Sequence, residues 1–149
     1  MEDKLKKLLE DHEGRKKTVY KCTVGKRSIG VGHNIDAKGL PDDIESFLED
    51  EGYITDDMID GLLIMDIDDS ESDARKLYPN FGSLSINRKI ALIDFVFNVG
   101  YGTAKTFLNT NKAINRGDWE KAAEGLLNSK YARQVGKRAK DLAKMLKEG

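Results

Sequence analysis

The chain has 149 residues, 39% hydrophobic and 34% charged, a length and balance that suit one soluble domain with a real core and exclude disordered and collagen-like classes. No apolar run approaches the ~20 residues of a membrane helix, and Met1-Glu2-Asp3-Lys4 lacks a signal peptide's apolar core, so synthesis in the cytosol without membrane insertion is expected. The net charge of -1 hides segregation: residues 36–73 carry 1 Lys/Arg against 15 Asp/Glu, while 74–149 carry 15 against 6.

Leu5, Leu8, Leu9 and His12 recur at helical spacing before Gly14, which predicts a short helix over 3–12 with Glu13 at its end. Residues 17–22 and the stretch around Ile29 and Val31 are β-branched and aromatic, with Thr23-Val24-Gly25-Lys26 as a turn between them, so a hairpin is expected. An isolated hairpin is marginal and must lean on neighbouring helices. Pro41, at a first helical position, and Gly52 bracket an acidic helix over 41–50. Thr55 caps a long helix to about Leu77, with Ile54 and Ile59 as a hydrophobic staple and Met58, Ile59, Leu62, Leu63 and Ile67 as a buried stripe.

Ser85 caps a helix over 86–98 whose run from Ile90 to Phe97 reads as apolar on nearly all sides, the central core helix. Further helices follow near 103–115, from an Asp118 cap through Leu127 with Trp119 as a core residue, and from Gly136 to Lys147. The fold class is α+β, mostly α: a single domain over 1–149 with a hairpin lobe at about 13–54, a linking helix at 55–77, and a helical lobe at 78–149 that includes the N-terminal helix.

Glu13, Cys22 and Ser28 place an acid, a thiol and a hydroxyl on neighbouring short elements, with the segment Ser28-Ile29-Gly30-Val31-Gly32-His33 after them. Cys22 is the only cysteine, so it has no intrachain disulfide partner. Glycoside hydrolysis needs a proton donor at the leaving oxygen and a second group that supplies or stabilises attack at the anomeric carbon. Glu13 suits the first task and Ser28 the holding of a water, while glycines 30 and 32 allow close backbone approach to a ligand.

These residues, with Phe95-Val96-Phe97-Asn98-Val99-Gly100, Phe107, Trp119-Glu120-Lys121-Ala122-Ala123 and Arg138-Ala139-Lys140, resemble in order the phage lysozymes of glycoside hydrolase family 24. The resemblance implies a hairpin lobe and a helical lobe joined by a long helix, with the sugar chain bound in the cleft. The implied substrate and partner is bacterial peptidoglycan, cut between N-acetylmuramic acid and N-acetylglucosamine. It also implies a monomeric endolysin without cofactor or metal, dependent on a holin to reach the wall from the host cytoplasm. By the same resemblance Glu13 is the general acid, Cys22 the second catalytic group and Ser28 the water-holding hydroxyl, with Gly30, Phe97, Asn98, Thr110 and Arg138 as substrate contacts.

Cys22 stands where many family members have Asp. A thiol is a poor base, so the role requires a thiolate, which Lys21, Lys26 and Arg27 nearby in sequence would favour; it would activate water or attack the sugar directly. His33 is expected to be structural, paired with Asp66 or Asp69, and Arg138 to line the cleft or pair with Glu13. Four competing readings are a virion-associated lysozyme, a wall-binding module without activity, a lytic transglycosylase, and a nucleic-acid binder using the basic helix around Lys137. The acidic middle of the chain argues against the last.

Overall fold

The computed structural model describes residues 1–149, which form two compact units: residues 6–67, and residues 1–5 with 68–149. The fold is α+β and mostly helical, as the sequence pattern requires. Helix α1 (Glu2–Glu13) stops at Gly14, whose N–H bonds the Glu10 carbonyl at 2.8 Å and whose φ of +79° suits glycine alone. That stop leaves Glu13 on the last helical position.

An antiparallel sheet of order β1-β2-β3 follows, from β1 (Lys16–Lys21), β2 (Arg27–Gly30) and β3 (His33–Asn34). The turn closes as expected, with Cys22 N–H on the Lys26 carbonyl at 2.9 Å and Gly25 N–H on the Cys22 carbonyl at 2.8 Å. Tyr20 pairs with Ser28 across β1 and β2, and a register shift between Lys16 and Tyr20 bends the ribbon. The third strand is an addition to the expected hairpin: Ile29 pairs with His33 and Ser28 with Asn34. Asn34 then caps α2 (Ile35–Lys38), a single turn, by accepting from Ala37 N–H.

Helix α3 (Asp42–Glu51) ends in a left-handed Gly52. Pro41 stands at its cap rather than at the first helical position, because its ψ of 145° is extended, and its carbonyl accepts from Glu45 N–H at 2.9 Å. Thr55 caps α4 (Asp56–Leu77) by accepting from Met58 N–H at 3.2 Å, and Ile54 and Ile59 are fully buried. Met58 is half-buried while Ile59, Leu62, Leu63 and Ile67 form the stripe. Together with Leu9, Ile29 and Val31 they make the core of the 6–67 unit, each full burial contributing roughly 1.5–3 kcal/mol.

In the second unit, Ser85 caps α5 (Ile86–Val99) by accepting from Arg88 N–H at 3.2 Å, and residues Ile90 to Val96 are buried. The helix expected over 103–115 is instead two: α6 (Tyr101–Lys105) and α7 (Leu108–Asn115). Local bonds cause the break, since Thr106 Oγ1 donates to the Thr103 carbonyl at 2.6 Å and Asn111 Nδ2 to the Ala104 carbonyl at 2.8 Å. Asp118 caps α8 (Trp119–Leu127) through Lys121 N–H; a short α9 (Lys130–Val135) precedes α10 (Lys137–Glu148). Trp119 is half-buried, not core, because the Arg88 guanidinium covers its ring at 4.2 Å.

Candidate active site

Glu13 is half-buried, and its carboxyl lies against Gly32: a Cβ added there would stand 2.7 Å from the carboxyl carbon. Gly32 also holds a φ of +62°. The bend after β2 therefore serves two ends, left-handed backbone and space for an acid. With Glu13 as the proton donor proposed below, Gly32→Ala should lower activity roughly 10²-fold, because displacing a reacting group by about 1 Å costs that much. It should also cost about 1 kcal/mol through backbone strain. Kinetics and thermal melting of one purified variant read both, and unchanged kinetics would show that the close approach does not matter.

Ser28 is buried, and its hydroxyl donates to the Lys26 carbonyl at 3.5 Å, which leaves the oxygen lone pairs as acceptors. Cys22 is half-exposed and unbridged. Of the cations close to it in sequence, Arg27 is engaged by Asp36, which takes its backbone N–H and Nε–H each at 2.8 Å. Gly30, with φ +66°, is buried, and a Cβ added to it would stand 3.4 Å from Ile59.

One β1 side chain was not assigned a role by sequence. Tyr20 is half-buried while the other five residues of β1 are exposed. Burial pushes its phenol pKa up, the Glu13 charge pushes the same way, a backbone hydrogen bond from Gly32 opposes, and Cys22 adds a smaller upward push.

His33 is buried and structural, as expected. Its Nδ1 faces Asp66 Oδ2 at 2.7 Å and its Nε2 the Gly39 carbonyl at 2.7 Å, while Lys38 Nζ meets the other Asp66 oxygen at 3.0 Å. Burial pushes the imidazole pKa down, but the Asp66 hydrogen bond, the Gly39 carbonyl and the Asp66 charge outweigh burial and Lys38, so it is raised. Two facing acceptors suit an imidazolium. Its contribution to stability is complete below the unfolded value of about 6.5 and is lost as pH rises through the folded one. Melting temperature should fall with pH from about 6.5 upward in the wild type and less so in His33→Asn.

In the other unit, Phe97 and Asn98 are half-buried at the C-terminal end of α5, and Asn98 Oδ1 has no hydrogen-bond partner. Thr110 is buried and lines a polar pocket of about 450 Å³ between α7 and α8, beside Gly125, Lys112 and Arg116. Arg138 is buried too, and its Nε donates to Asp94 Oδ1 at 2.8 Å. Asp94, fully buried within a run that reads as apolar, is the partner that sequence reasoning missed. No group of three or more His, Cys, Asp or Glu side chains is arranged to hold a metal ion.

The phage lysozyme family model matches residues 10–147. The chain belongs to the phage lysozyme family. It is similar to probable T4-type lysozyme 2 of Dictyostelium discoideum, 28% identical over all of this chain and 96% of that protein. Probable T4-type lysozyme 1 of the same organism is 25% identical with the same coverage. It is also 28% identical to the pre-baseplate central spike protein Gp5 of Enterobacteria phage T4, over 95% of this chain but 27% of that one. As a phage lysozyme family member the chain is a lysozyme-type hydrolase, and the matched region includes Glu13, Cys22 and Ser28.

Proposed function

We propose that this phage lysozyme family member is a muramidase that hydrolyses bacterial peptidoglycan between N-acetylmuramic acid and N-acetylglucosamine and serves as an endolysin in host lysis. The observation that carries the reading is the Glu13 carboxyl seated on Gly32, within the Ser28-to-His33 segment and inside the region matched by the family. Glu13 gives its proton to the glycosidic oxygen as the bond to the anomeric carbon breaks. Water held by the Ser28 hydroxyl attacks that carbon, and the Cys22 thiolate takes the proton the water loses, so one water is consumed per bond cut.

By the same reading Phe97 and Asn98 contact the sugar chain. The unsatisfied Asn98 Oδ1 is an acceptor for a sugar hydroxyl or an acetamido N–H. Thr110 contributes through its pocket and Arg138 through a guanidinium fixed by Asp94. The test is digestion of purified peptidoglycan followed by mass spectrometry. Fragments ending in reducing muramic acid support hydrolysis; anhydro-muramic ends would make the enzyme a lytic transglycosylase, and an undigested wall would leave a binding module.

A further inference from the structure

Resting on the reading of Glu13 as proton donor, we propose that Arg15 is a positioning residue for it: its guanidinium staples the helix end that carries Glu13 to the first turn of α4, and α4 in turn backs the glycine seat of the Glu13 carboxyl. Arg15 stands two residues beyond Glu13, between the end of α1 and the start of β1. Its side chain reaches back over Gly14 to α1, where Nη1 donates to Glu10 Oε1 at 3.0 Å. The same nitrogen donates to Asp60 Oδ1 at 2.9 Å. Nη2 meets Asp56 twice, donating to the carboxylate at 3.1 Å and to the backbone carbonyl at 3.2 Å. Asp56 and Asp60 lie one turn apart on one side of α4, so a single guanidinium gathers three carboxylates from two helices. Lys17 extends the seam: its carbonyl accepts from Ile54 N–H at 2.9 Å, and its ammonium lies 3.3 Å from Asp56 Oδ2.

The clamp reaches the site by a second route. Ile59, fully buried on the same turn of α4, lies 3.4 Å from where a Cβ on Gly30 would stand, and Gly30 comes two residues before Gly32. Gly32 receives the Glu13 carboxyl so closely that a Cβ there would meet it at 2.7 Å. Donor and seat are thus joined in one closed circuit. Glu13 is tied to Arg15 along the chain, Arg15 to α4 by ion pairs, α4 to Gly30 by packing, and Gly30 to Gly32 along the chain. With no room for a methyl group at the seat, a shift of the end of α1 against α4 carries the carboxyl out of place.

Stability alone does not account for the arrangement. The Arg15 side chain is 29% exposed and its three acidic partners 40–61%, and ion pairs so open to water contribute little to folding. The guanidinium fork supplies geometry instead, since its donors are fixed in one plane and meet all three partners at once. A lysine offers a point charge on a flexible stem and cannot span them.

Arg15→Met should lower kcat on peptidoglycan roughly tenfold with KM unchanged, because the loosened corner displaces Glu13 by less than the ~1 Å that costs 10²-fold. Its melting temperature should fall by no more than about 4 °C. Arg15→Lys keeps the charge and loses the fork, so it should melt like the wild type and yet lose nearly as much kcat. The deciding measurement repeats Arg15→Met in Glu13→Gln, where there is no proton to position and the residual rate should change less than twofold. Full activity in Arg15→Lys, an equal loss in both backgrounds, or no loss in Arg15→Met overturns the positioning role. A Glu13→Gln protein as active as wild type would overturn the reading of Glu13, and the role of Arg15 with it.

Discussion

Glu13→Gln should reduce lysis of permeabilised Gram-negative cells by about 10²–10⁴-fold, the range a positioned general acid contributes. The amide matches the carboxyl in shape and so keeps its seat over Gly32, where the space is set by the absence of a Cβ. Loss of activity without loss of melting temperature would therefore belong to the proton. Cys22→Ala should abolish most activity as well, whereas Cys22→Asp should preserve much of it, since a carboxylate can accept the proton of the attacking water as a thiolate does. Because Cys22 is the one thiol in the chain and is half-exposed, iodoacetamide should inactivate the wild type and spare Cys22→Asp. Turbidity traces of the four proteins decide the matter: an Ala variant that lyses like wild type removes Cys22 from the mechanism, and equal lysis by all of them removes both residues.

Elements whose ends are fixed by their own side chains were legible in the sequence. Thr55, Ser85 and Asp118 each cap the helix they precede, and Gly14 and Gly52 stop the ones they follow. What escaped is short or is decided by distant residues. The two residues of β3 carry no pattern of their own and become a strand only because Ile29 and Ser28 are already in place to pair with them. The break between α6 and α7 depends on Thr106 and Asn111 bonding to carbonyls that a continuous helix would use. The same division runs through the site. Glu13, Cys22 and Ser28 announce themselves by residue type, but Tyr20 comes to stand across from Ser28 only through the strand register. Gly32 stands out in the sequence as a place for close approach to a ligand, yet its service to Glu13 follows only from the bend after β2.

Asp94 is the extreme case, and its removal should have the largest effect on stability. The carboxylate is fully buried on α5 between Ile93 and Phe95, and Arg138, itself buried at the start of α10, donates Nε–H to it at 2.8 Å. Neighbouring aromatic rings of Phe95, Phe107 and Tyr131 meet edge to face at 5.0–6.2 Å, so α5 carries an aromatic cluster next to Asp94 in sequence. Attraction between such charges roughly offsets the cost of taking both out of water, but removing one leaves the cost of the other standing. Asp94→Ala should therefore destabilise the protein by about 3–5 kcal/mol, lowering the melting temperature by roughly 10 °C. Asp94→Asn keeps an acceptor for Nε–H and should lose less. The combined Asp94→Leu and Arg138→Met substitution should recover most of the loss, since apolar side chains of similar size often equal a buried pair. Recovery of melting temperature without recovery of activity in that double variant would place the Arg138 charge in catalysis or binding; recovery of both would make the pair structural alone. If Asp94→Ala instead melts like the wild type, the charge at position 94 carries no weight in the fold.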